Sequence, residues 1–176
     1  MSAIFSRDGR HRFELRRMVN ERGHGEIAWI MLNPSTADET NNDPTIRRCF
    51  DFSLVWGFKL LRVVNLLPIR SPKPKAALDW YRASPPMPGE YFANLAYIER
   101  ACSEADVVML AWGAHGYGIG GDNARENAGR LNDEVWCLGW TAMGQPRHPL
   151  YVRGDTKPVH AEDDSRRWLR SLEGLA

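Results

Sequence analysis

The chain has 176 residues, 43% hydrophobic and 26% charged, with 23 Lys and Arg against 22 Asp and Glu. That length supports one domain, 1–176, with a core that needs no staple, and the even charge excludes a global basic field that would steer nucleic acid. No apolar run is long enough to cross a bilayer, and the N-terminus lacks a signal-peptide core, so a cytoplasmic monomer is the default expectation.

Residues 1–22 read as a hairpin, with Asp8-Gly9 as the turn and Arg12-Phe13-Glu14-Leu15-Arg16 in strict alternation. Its arginines, Arg12 among them, suit a solvated edge strand protected from aggregation by charge, with phosphate contact the lesser reading. Ile27 to Leu32 is a run of six apolar residues, the pattern of a strand covered on both faces. It stops at Asn33-Pro34-Ser35-Thr36, because proline removes a ladder donor and forces Asn33 out of the helical region.

Asp43 followed by Pro44 is a helix start, and Ile46, Cys49/Phe50 and Ser53/Leu54 recur at helical spacing up to Gly57. A second strand, Leu60 to Leu67, carries Asn65 near its end and stops at Pro68. A short helix over 75–82, a proline-rich loop at 84–89 and an amphipathic helix marked by Tyr91, Leu95, Ile98 and Cys102 follow. Asp106 to Gly113 is a third buried strand, 122–133 a helix, and Glu134 to Gly139 a fourth strand leading to His148-Pro149-Leu150. Asp163-Asp164 caps a last helix over 162–173. Strands alternating with helices predict an α/β fold, a three-layer α/β/α sandwich on a four-stranded parallel sheet of order 2-1-3-4, plus the N-terminal hairpin.

The dispersed Cys49, Cys102 and Cys137 offer no metal or disulfide framework and are expected as small buried hydrophobes. Gly116-x-Gly118-x-x-Gly121 has dinucleotide-fingerprint spacing, yet it follows the third strand and no acidic residue ends the fourth. Glycines turning tightly beside a neighbour are the better reading, and no cofactor is expected. The five histidines have no ligand spacing, so no metal site is expected either. Polar groups do recur at strand ends: Asn33, Asn65, Trp112-Gly113 and His148. Parallel strands bring their carboxyl ends together, where ligands bind in open α/β sheets.

Asn33-Pro34-Ser35, Asn65, Leu110-Ala111-Trp112-Gly113 and His148-Pro149 resemble, in order, the motifs of the uracil-DNA glycosylase superfamily. The pattern Asn-Pro-Ser-Thr-Ala-Asp with His-Pro-Leu-Tyr also resembles a bacterial family catalogued only as a domain of unknown function. The superfamily resemblance implies an N-glycosidic-bond hydrolase acting on a base in DNA or on a nucleoside or nucleotide. It implies that Asn33 positions water, Asn65 hydrogen-bonds the base edge and His148 stabilises the developing oxyanion. Asp38 or Asp43 would assist the water. Pro34, Ser35, Thr36, Trp112 and Gly113 would shape the pocket, and Arg47, Arg48 and Arg70 would meet phosphate.

Leu150 stands where that superfamily has Ser, and no unambiguous general base is evident. A non-catalytic base or nucleotide reader is therefore the alternative, and a metal-dependent phosphohydrolase using Asp38 and Asp43 the third. A basic strip over residues 59–82, with Trp80 and Tyr81, suits nucleic-acid contact and an ordinary solvated face equally.

Overall fold

The computed structural model describes residues 1–83 and 87–161. The expected helix over 162–173 and residues 84–86 of the proline-rich loop lie outside them. The seven strands are β1 (Ser2–Phe5), β2 (Arg12–Met18), β3 (His24–Met31), β4 (Phe58–Asn65), β5 (Val107–Leu110), β6 (Val135–Cys137) and β7 (Val159–His160). Among the described residues four α-helices join them: α1 (Pro44–Val55), α2 (Pro74–Arg82), α3 (Gly89–Glu104) and α4 (Gly121–Leu131).

All seven strands form one sheet, in the order β1-β2-β4-β3-β5-β6-β7. The sheet is mixed, which corrects the expected four-stranded parallel sheet. Strands β4, β3, β5 and β6 run parallel, but β2 adds antiparallel to β4, β1 to β2, and β7 to β6. The reason is the exposed edge of β4: its ladder groups need partners, and the hairpin supplies them. Strand β2 is thus an interior strand, with Arg12, Phe13, Glu14 and Leu15 all buried, where the alternation suggested a solvated edge.

Strand β3 explains the layering. Ala28, Ile30 and Leu32 enter a core shared with α2, α3 and α4, while Ile27, Trp29 and Met31 enter a second core with Ile46, Cys49 and Phe52 of α1. Alternate side chains of one strand feed opposite faces, so a continuous apolar run is what a doubly covered strand requires. Trp29 Nε1 donates to Ser53 Oγ (3.2 Å), and Ser53 Oγ donates in turn to Cys49 O (2.7 Å), so burying the indole leaves no orphan donor.

Of the basic residues over 59–82, Arg62 is absorbed into the interior, while Lys59, Lys73, Lys75 and Arg82 stay exposed. Arg62 of β4 is buried and ion-paired with Glu26 and with Glu104 (2.9 Å), beside Glu14 of β2. Lys75 pairs with Asp79. The basic strip over 59–82 is therefore not one face. The three cysteines are buried, and burial pushes the Cys102 thiol up to about 12. Among the described residues no helix is long and apolar enough to cross a membrane.

Candidate functional site

The parallel strands end on a cavity of about 450 Å³. Asn33 follows β3, Asn65 ends β4, Trp112 and Gly113 follow β5, and His148 follows β6; all five residues border it. Ladder bonds continue past the strand ends, with Leu66 N donating to Met31 O and Ala111 N to Ile30 O (both 2.9 Å). That continuation holds the ends of β3, β4 and β5 level, and Gly113 N donating to Pro146 O (2.9 Å) ties in the segment before His148.

Asn65 is buried, and neither its amide oxygen nor its amide nitrogen has a hydrogen-bond partner among the described residues. Its backbone is held instead, since Asn94 Nδ2 from α3 donates to Asn65 O (2.8 Å). Asn33 Nδ2 donates to Pro34 O (2.9 Å) and Ser71 O (2.8 Å), which leaves Oδ1 as the group available to a ligand. Trp112 is buried with Nε1 donating to Gln145 Oε1 (2.7 Å), so its ring is fixed as an apolar wall.

His148 begins a single 3₁₀ turn over Pro149–Tyr151, and its Nδ1 accepts from Leu150 N (3.3 Å). An accepting Nδ1 places the proton of the neutral ring on Nε2. Burial pushes the imidazole down to about 4, against a smaller upward pull from Asp43. At neutral pH the ring is an uncharged donor. Gly113 sits at φ +75°, and a Cβ there would meet His148 Cβ at 3.3 Å, so glycine is needed for the third strand end to pass the histidine.

Ser35 and Asp43 also border the cavity. Asp43 is the α1 cap: Oδ1 accepts from Ile46 N (2.9 Å) and Oδ2 from Ala37 N (3.3 Å). The remaining expected site residues lie elsewhere. Pro34 is buried behind the wall and accepts from Ser71 N (2.8 Å), and Thr36 is exposed beyond the rim. Asp38 closes its own loop, accepting from Asn41 N (2.8 Å) and Thr40 N (2.9 Å); those bonds hold it well below the usual carboxylate range.

Arg47 is exposed, away from the cavity. Arg48 donates to Val152 O (2.7 Å) and Pro149 O (3.3 Å), so it braces the segment after His148. Arg70 donates to Gly9 O (3.1 Å) and lies over the Phe5 ring. Arg47, Arg48 and Arg70 are thus not gathered at the cavity, and two of the three donate to the protein's own backbone. Among the described residues no group of three His, Cys, Asp or Glu side chains gathers to hold a metal.

The family described as protein of unknown function (DUF1643) matches residues 12–150. The chain belongs to that family. No curated protein and no solved structure matches it. The stretch shared with the family begins at Arg12 and ends at Leu150, and both residues border the cavity.

Arg12 is the functional candidate that the edge-strand reading set aside. A charge in an alternating strand reads as solvent-facing, and only the docking of β2 on β4 turns it inward. Arg147 and His115, at the rim, were missed, because loop residues carry no periodic signal. Gly116 and Gly121 of the 116–121 loop serve packing: a Cβ on Gly116 would lie 1.9 Å from Trp112 Cδ1, and one on Gly121 2.9 Å from Trp112 Nε1, whereas Gly118 has open space around it.

Proposed function

We propose that this chain is an N-glycosidic-bond hydrolase of the uracil-DNA-glycosylase kind, acting on a damaged or modified base in DNA or on a related nucleoside or nucleotide. Asn65 carries the reading. A buried amide with donor and acceptor both unpartnered is destabilising by about 1–3 kcal/mol unless a ligand completes it. The complement of that amide is a carbonyl beside an N–H, the edge of a lactam base. The cavity volume lies in the ordinary small-molecule range.

The neighbouring groups suit the chemistry. A water accepted by Asn33 Oδ1 adds its oxygen to the sugar C1′ as the C1′–N bond breaks. The bonding pair leaves with the base, and the water's proton passes to solvent. Neutral His148 donates from Nε2 to the base oxygen where charge collects, a role worth roughly 2.7–4 kcal/mol for one well-aimed donor. A non-catalytic reader is the second reading, favoured by one observation: Asp43 is the cavity's carboxylate among the described residues, and both its oxygens already accept backbone N–H groups.

Oligonucleotides carrying uracil, hypoxanthine or mismatches, incubated with the protein and treated with alkali, separate the two. Strand cleavage lost in Asn33→Ala and His148→Ala supports the hydrolase, and binding without cleavage supports the reader. Asn65→Leu is expected to unfold no earlier than the natural chain while losing base recognition. A large loss of stability in that variant would make Asn65 a structural residue and remove the basis of the proposal.

A further inference from the structure

Resting on the base-pocket reading, the geometry points to a ligand that carries a terminal phosphate, bound by Arg12 inside the same cavity; the preferred ligand is a nucleoside monophosphate. Arg12 is only 1% exposed, yet it borders the cavity. Its guanidinium donates once to the protein, from Nη1 to Ala37 O (3.1 Å), and Nε has no partner among the described residues. It makes no ion pair among them either. Burial holds it down to about 10, which still leaves it cationic at neutral pH.

A buried guanidinium with no ion-pair partner is costly unless an anion completes it. Asp43 acts on it as a counter-charge that pulls it back up against burial, but it stands beyond ion-pair distance, with its oxygens accepting from Ala37 N and Ile46 N. Among the described residues the lining holds a second arginine, Arg147, whose Nε donates to Trp140 O (3.0 Å), against one carboxylate, and Ser35 and Thr45 add hydroxyl donors. Planar, forked N–H donors with hydroxyls beside them are phosphate chemistry.

Burial also selects the kind of phosphate. A phosphodiester inside a strand is held to the surface by its two flanking sugars, whereas a terminal phosphate can enter the cavity. Arg12 and Asn65 lie on neighbouring strands, β2 and β4, on the wall that one nucleotide would span.

Calorimetric titration of the full chain with uridine 5′-monophosphate, uridine, ribose 5-phosphate and 5′-phosphorylated or 5′-hydroxyl oligonucleotides tests this. Uridine monophosphate is expected to bind roughly ten- to a hundred-fold more tightly than uridine, and Arg12→Met to erase that difference. If the natural chain binds the two equally, or binds neither, the inference is overturned whether or not Arg12→Met folds. Ribose 5-phosphate bound as tightly as the nucleotide, and lost in Arg12→Met, would uphold the phosphate site while removing the base reading. An advantage seen only with 5′-phosphorylated strands would keep the terminal-phosphate site but assign it to a strand end, overturning the free nucleotide.

Discussion

The imidazole of His148 is shaped by three neighbours: the backbone N–H of Leu150 on Nδ1, the close-packed Gly113, and the tilted ring of Tyr151. In the unfolded chain it titrates near 6.5, and in the fold burial holds it near 4. Between those values the unfolded chain binds the proton and the fold resists it. Stability therefore falls as pH drops through the window and is level above it. His11, also held down by burial, adds to the same slope. His148→Gln is expected to flatten the stability–pH curve between about pH 4 and 6.5 without removing its slope, read by urea unfolding across that range. An unchanged curve would mean the ring is solvated. The His-Pro pair drew attention to this residue in the sequence; its neutral, Nε2-protonated state follows only from contacts made in the fold.

At the scale of the element, α1 connects the two halves of the site. Its cap, Asp43, ties the helix start to Ala37, and Arg48 one turn later ties it to Pro149 and Val152. Asp43→Ala is expected to lower stability by about 1–2 kcal/mol through loss of the cap. Asp43→Asn keeps a capping acceptor and should unfold near the natural midpoint. If Asp43→Asn folds normally but loses base release, the carboxylate is part of the chemistry, and its capping role is secondary. The Asp-Pro start of α1 was legible because both residues act locally. Of the Ser53/Leu54 pair expected on the buried stripe, Ser53 is buried under the Trp29 indole and Leu54 is 43% exposed; Phe52, not expected there, is buried against the Trp29 ring.

For the molecule as a whole, the hairpin is the deciding addition. Strand β2 brings Glu14 beside Arg62, and the cluster extends through Glu26 and Glu104 to both sides of β4. Arg62→Met removes the central cation and leaves Glu26 largely buried without its ion-pair partner, while Glu14 keeps Arg16 (2.8 Å) and Arg100 (3.3 Å). A loss of roughly 3–5 kcal/mol is expected, a large part of the stability of a single domain. Chemical denaturation would read this directly, and a change below about 1 kcal/mol would mean that the carboxylates find water. The same docking delivers Arg12 to the cavity, so a fault in the hairpin should weaken fold and ligand site together.

Apolar runs and punctuating prolines located β3, β4 and β5 from the sequence alone, and with them Asn33, Asn65 and Trp112 at their ends. Those signals are local: hydrophobic periodicity reports how one element is covered, and proline reports where it stops. What Arg12, Glu14 and Arg62 do was decided by tertiary structure. The burial of a charge depends on partners brought from distant parts of the chain, and the alternation that places it on one face of a strand is identical whether that face meets water or another side chain.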